Sequence, residues 1–183
     1  MAKKVAKFYK VSFEQFKKDF LDTFNETNML KYGIAPYSTE EAVIKKIWDN
    51  IALPKRETYG SAGHDFKSPI TFTLKPGETI KIPTGIRVKI NEDWVLKCYP
   101  RSGLGFKYRL QLNNTVGIID SDYFESNNEG HIFAKITNDT NEGKEFTIEC
   151  GSGFMQGIFV EYGITEDDNP NKIRNGGFGS TGK

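Results

Sequence analysis

The sequence predicts an all-β fold of the sandwich or jelly-roll type, with a helical addition near its N-terminus and a flexible Gly-rich arm at its end. Three observations predict it. From Pro54 onward, apolar residues alternate with polar ones in many short runs. Turn sequences such as Pro76-Gly77 and Asn91-Glu92-Asp93 separate those runs at the spacing of a β sandwich. No strand–helix repeat supports a Rossmann-type parallel sheet.

The elements follow in order. Residues 3–11, KKVAKFYKV, suit a short strand. Ser12 then opens a helical pattern, with Gln15 three residues on to complete a capping box. Phe13, Phe16, Phe20 and Phe24 recur at helical spacing, with Leu21 beside them. A second helix is expected from Ser38, with Glu41 as its box partner and Val43, Ile44, Ile47, Trp48 and Ile51 as its apolar face. Two such faces need cover, either from the main domain or from a partner protein. Ile70, Phe72 and Leu74 alternate with Thr71 and Thr73, Ile80 and Ile82 follow, and Ile86, Val88 and Ile90 alternate with Arg87 and Lys89. Trp94 to Tyr99, Ile132 to Ile136, Glu145 to Cys150 and Gln156 to Tyr162 complete the strands. Residues 1–165 read as one domain that includes the helical segment at about 12–50. Residues 166–183 are acidic and then Gly-rich; glycine raises the entropy cost of ordering, so they read as an arm.

Composition narrows the function. The chain has 183 residues, with 25 Lys and Arg against 24 Asp and Glu, so the formal net charge is +1. That balance carries no field to attract nucleic acid, although local donors can still hold a small phosphorylated ligand. No apolar stretch approaches the ~18 residues of a membrane span. The start, MAKKVAKFYKVSFEQF, has no apolar signal core and reads as cytoplasmic. Cys98 and Cys150 make no disulfide framework, and His64 and His131 are too few for a His-rich metal site.

Four irregular stretches carry polar chemistry: residues 61–66, 100–105, 114–123 and 175–183. Arg101 and Ser102, beside glycines after a strand, suit a phosphate-binding turn or a surface ion pair. Gly179, Ser180, Thr181 and Gly182 offer amides and hydroxyls to an anion, though without Walker A spacing, and equally suit a plain terminus. Phe178 in so polar an arm calls for a flat partner such as a base. Asp120, after the apolar run Val116 to Ile119, can be a general base or a turn residue. Tyr123 can pack on a sugar or on the core.

Taken in this order along one chain, these stretches resemble the homotrimeric dUTP pyrophosphatase (dUTPase) family over roughly residues 51–183. The stretch Asn128-Glu129-Gly130-His131 resembles the members found in phages and their low-GC Gram-positive hosts. The resemblance implies a jelly roll assembled as a homotrimer with its sites at subunit boundaries. It implies hydrolysis of dUTP to dUMP and pyrophosphate with Mg2+. The first motif falls on Ala62 to Asp65, where Asp65 holds waters of the metal shell. The second is Pro100 to Gly103, so Arg101, Ser102 and Gly103 face the triphosphate. The third runs from Asn114 to Tyr123. There Asn114 and the backbone of Val116, Gly117 and Ile119 read uracil, Asp120 deprotonates the attacking water, and Tyr123 stacks beneath the deoxyribose and crowds a 2′-hydroxyl. The fourth is Phe154-Met155-Gln156, with Gln156 at the phosphates. The fifth spans Arg174 to Gly182, where Phe178 covers the base and Gly179, Ser180 and Thr181 wrap the phosphates. Three departures stand out, the first being that Arg174 sits one residue nearer Phe178 than the Arg of the family's commonest fifth motif. Tyr123 runs into a longer loop than the family's Tyr-x-Gly-Glu, and Ser152 and Gly153 replace its usual Glu-Arg pair. Alternative readings are a dCTP deaminase of the same superfamily, a regulatory protein that binds a repressor or other protein through the helical segment, and a structural jelly roll. Neither nucleic acid nor membrane is expected as a partner.

Overall fold

A computed structural model describes residues 3–170. Its strands are all antiparallel and group into four small sheets. The first strand, β1 (Ala6–Lys10), precedes three helices, α1 (Phe13–Thr23), α2 (Glu26–Lys31) and α3 (Glu41–Asn50). Then come β2 (His64–Lys67), β3 (Phe72–Leu74), β4 (Thr79–Pro83), β5 (Ile86–Ile90) and β6 (Trp94–Pro100). A short α4 (Ser102–Tyr108) leads into β7 (Leu110–Leu112) and β8 (Gly117–Ile119). The chain continues through β9 (Phe133–Asn138), β10 (Phe146–Ile148) and β11 (Gly153–Glu161). The largest sheet has the order β2-β11-β6-β8; the others are β4-β9-β7, β10-β3 and β1-β5. This is the jelly-roll β architecture that the alternation predicts. Phe72, Leu74, Ile80, Ile82, Leu96, Ile136 and Phe154 point from several sheets into one core. Each such side chain contributes about 1.5–3 kcal/mol on burial.

The helical segment is an insertion, not a free appendage. Residue Ala6 pairs with Ile90 and Lys10 with Ile86, so β1 is anchored in a sheet before the helices begin. The inward faces of α1 and α3 join the main core through Phe16, Phe20, Phe24 and Ile44. Their cover is therefore the domain itself. The tightest approach is at Gly85, where φ is +72° and a Cβ would stand 2.2 Å from Ile51 Cδ1. Only glycine tolerates both that dihedral and that contact.

Caps show where local rules held and where they yielded. The Ser12 hydroxyl accepts from the Gln15 amide, as an N-cap should. The reciprocal half of the box is not made by Gln15, whose side chain turns to Asp19 at 2.8 Å. Glu129 supplies it from across the molecule: its carboxylate accepts from the Ser12 amide at 2.8 Å and the Ser12 hydroxyl at 2.6 Å. The second helix does not start at Ser38. A 3-10 turn, Pro36–Thr39, occupies that place, and α3 begins at Glu41 without a side-chain cap. Pro36 sets a φ suited to a tight turn, which closes before the α-helix opens. Residues 61–66 and 114–123 are also less irregular than expected, since they hold β2 and β8.

Candidate active site

One cluster forms at the edge of the largest sheet. Asp65 on β2 lies opposite Gln156 on β11, and Gln156 lies opposite Tyr99 on β6. The β6 strand ends at Pro100, so Arg101 projects beside both. Its Nη2 is 3.3 Å from Oδ2 of Asp65, which is buried. Gln156 donates from Nε2 to the Pro100 carbonyl at 3.3 Å. Two glycines make room for these side chains. A Cβ on Gly63 would fall 2.5 Å from Gln156 Oε1, and one on Gly153 would fall 2.6 Å from Arg101 Nη1. Gly153 thus has a positive role: the guanidinium crosses the space that a side chain at that position would fill. Ser102 and Gly103 lie exposed in the first turn of α4. They sit on a helix where a turn was expected. Its glycines disfavour helix, but Leu104 and Tyr108 pack on the core, with the Tyr108 ring 4.8 Å from that of Phe146.

A second cluster forms around β8. The turn from β7 to β8 places Thr115 at φ +64°, with its amide bonded to the Leu112 carbonyl at 2.8 Å. Asn114 is exposed, Val116 and Ile119 are half-buried, and Gly117 is buried against Cys98. Burial pushes the Cys98 thiol up to about 12, so that sulfur stays protonated and chemically quiet. Asp120 follows β8, half-buried, and its carbonyl accepts from the Tyr123 amide at 3.2 Å as a 3-10 turn, Ser121–Glu125, begins. Tyr123 is 5% exposed. Its hydroxyl donates to the His131 carbonyl at 2.7 Å and accepts from Asn128 Nδ2 at 2.8 Å.

The two clusters do not meet within one chain. Asp65 is opposite Gln156, Gln156 opposite Tyr99, and Ile119 opposite Leu96. Continuing that register sets Asp120 beside Val95, four residues along β6 from Tyr99 and three strands from β2, or roughly 20 Å from Asp65. Arg174, Phe178, Gly179, Ser180 and Thr181 lie outside the described residues.

The described residues contain no group of three His, Cys, Asp or Glu that could cage a metal ion. Magnesium does not need one. It keeps several waters and takes one or two carboxylates beside substrate phosphates, and Asp65 fits that mode of binding.

Residues that sequence reasoning missed lie in the loop after Tyr123. His131 is fully buried; its Nε2 accepts from the Gly85 amide at 2.8 Å and its Nδ1 meets Asp19 Oδ2 at 2.5 Å. Burial lowers its pKa more than Asp19 and Glu129 raise it, so the ring is neutral. Burial opposes the ionised form of Asp19, yet the bonds from His131 and Gln15 hold that carboxyl below its usual range. Arg87 stacks on Phe124 at 3.7 Å and donates to its carbonyl at 2.6 Å. The extra length of the loop was the available signal.

Fold and site together define a class: antiparallel jelly rolls whose two polar clusters are presented at opposite edges of one sheet. The chain belongs to the dUTPase family, whose model, described as dUTPase, matches residues 49–182. A deoxyuridine 5'-triphosphate nucleotidohydrolase of Lactococcus lactis is 42% identical over 145 residues, which cover 78% of this chain and 95% of that one. One of the same name from Haemophilus influenzae is 39% identical, covering 75% and 92%. Among solved structures, the dUTPase of Streptococcus mutans aligns with a TM-score of 0.55 and 37% identity, over 62% of this chain and 88% of that one. The Staphylococcus bacteriophage 80alpha dUTPase with dUPNHPP aligns with a TM-score of 0.55 and 25% identity, over 73% and 94%. Among the described residues, no helix is long and apolar enough to cross a membrane.

Proposed function

We propose that the chain hydrolyses dUTP to dUMP and pyrophosphate at a site assembled between copies of itself. The observation that carries this reading is the separation of roughly 20 Å between Asp65 and Asp120, worked from strand register. A water attacking the α-phosphorus and the charge on the neighbouring phosphates lie within one small ligand. Both carboxylates can serve it only if different subunits supply them. A closed homotrimer provides three such boundaries.

In this reading Asp120 accepts the proton of a water aligned behind the α-phosphorus. The new bond forms from that water oxygen to phosphorus. The bond from the α-phosphorus to the bridging oxygen breaks, and pyrophosphate leaves with the electron pair. Arg101 and Gln156 donate to phosphate oxygens as charge shifts toward the leaving group. Asp65 orients Arg101 through their ion pair and would hold waters around a bound Mg2+. Bound Mg2+ supplies Lewis-acid neutralisation of the phosphates. The Asn114 to Ile119 turn offers backbone groups to uracil O4 and N3–H. Cytosine reverses that donor pattern and leaves buried groups unpaired. Two free cysteines suit work in a reducing cytoplasm.

The test is complementation. Asp65→Asn and Asp120→Asn variants should each lose most turnover of dUTP while remaining folded. Co-expressed, they should regain activity at about a quarter of sites by random assortment. Pyrophosphate release from dUTP, dTTP, dCTP and UTP reads the specificity, and ammonia release from dCTP reads the deaminase alternative. Activity that stays absent in the mixed assembly would place both carboxylates in one subunit's site and end this account.

A further inference from the structure

The loop that follows Tyr123 ties the polar cluster of β8 to the helical insertion by a continuous set of contacts. Tyr123 Oη is held from two sides, by the His131 carbonyl at 2.7 Å and by Asn128 Nδ2 at 2.8 Å. Asn128 is itself fixed, since its Oδ1 accepts from the Gly130 amide at 3.2 Å. At Gly130 φ is +66°, and a Cβ there would stand 2.6 Å from the Tyr123 carbonyl oxygen, so the loop returns directly over the tyrosine. The next contact outward is Glu129, which closes the N-terminal cap of α1 on Ser12. Tyr123, only 5% exposed as a residue and clamped at its hydroxyl, cannot swing its ring aside for a larger ligand.

We propose that Asn128 is a positioning residue for nucleotide selection. It holds the Tyr123 ring at the height that admits a deoxyribose and excludes a ribose. This rests on the reading that places Tyr123 beneath the sugar. The contact with Ser12 gives the insertion a second use beyond filling the core: it sets where the Asn128 loop sits.

Steady-state hydrolysis of dUTP and of UTP with Mg2+ tests it in the full chain. Asn128→Ala should raise KM for dUTP roughly fivefold, the worth of one hydrogen bond, with kcat within about twofold of the parent. The preference for dUTP over UTP, as a ratio of kcat/KM values, should fall by a similar factor. Asn128→Leu fills nearly the same space but has no polar atom to offer the tyrosine hydroxyl. It should show the same loss, and it carries the test if the alanine variant does not fold. In a Tyr123→Phe background, Asn128→Ala should add nothing, because the atom it acts through is gone. Lower kcat with KM and preference unchanged would overturn the proposal, as would an undiminished effect in the phenylalanine background. Tyr123→Ala separates the two levels. If it leaves the preference at the parent value, the sugar reading itself fails. If it abolishes the preference while both Asn128 variants keep it, only the role of Asn128 fails.

Discussion

Lowering the pH from 7.5 to 5.5 should loosen the seat of the helical insertion, and His131 should account for a defined share of the loss. The Gly85 amide donates to Nε2, so the single ring proton sits on Nδ1 and faces Asp19. A second proton would have to enter where that amide already points, in a fully buried site. Burial therefore depresses the folded-state pKa of His131, against a smaller opposing pull from Asp19 and Glu129. The sign follows. Between the folded value and the unfolded value of about 6.5, the unfolded chain binds one proton more, so stability rises with pH and falls as acid is added. One proton amounts to about 1.4 kcal/mol per pH unit. The limit for His131 over this interval is thus about 1.4 kcal/mol, about three-quarters of it below pH 6.5. His64 is half-buried, and burial lowers its pKa too, so it adds a change of the same sign. The decisive quantity is the difference between the parent and His131→Gln, which keeps an acceptor near Gly85 but does not titrate. Urea unfolding followed by Trp48 and Trp94 fluorescence at several pH values measures it, at one protein concentration because assembly also stabilises. The variant should lose less stability than the parent between pH 7.5 and 5.5. Equal losses in both would refute the buried neutral imidazole as the source. The folded-state pKa of Asp19 is also depressed, through its bonds from His131 and Gln15 against the cost of burial. Its contribution is present above the unfolded value of about 3.9 and is lost below it.

Two other changes probe packing and the cluster of Asp65, Arg101 and Gln156. Gly85→Ala forces a side chain into a positive φ and against Ile51, and should cost about 2–4 kcal/mol in urea unfolding; a loss under 1 kcal/mol would mean that the insertion shifts freely. Gly153→Ala should push the Arg101 guanidinium off Asp65 and raise KM for dUTP about tenfold, the worth of a charge-assisted hydrogen bond, with thermal stability near the parent's. An unchanged KM would show that Arg101 does not need that geometry.

Local pattern made two helices and eight of the eleven strands among the described residues readable; β2 and β8 lie in stretches that read as irregular, and β7 was not picked out. The alternation of Ile86, Val88 and Ile90 with Arg87 and Lys89 is the burial pattern of β5, and the spacing of Phe16, Phe20 and Phe24 is the buried face of α1. Ser12 was readable as a cap because an N-cap needs only its own neighbours. Its second partner, Glu129, was not readable, because 117 positions separate the two residues along the chain. Helix α4 was hidden for a similar reason: Gly103 and Gly105 argue against helix locally, and the packing of Leu104 and Tyr108 outweighs them.

The residue pattern alone therefore determined the fold class and the residue types gathered in each polar stretch, since hydrophobic period and turn chemistry act over a few neighbours. Tertiary structure decided which stretches come together. Strand order sets Asp65 with Arg101 and Gln156 and carries Asp120 to the opposite edge of the sheet. That order depends on contacts between distant segments, whose energies no local period records.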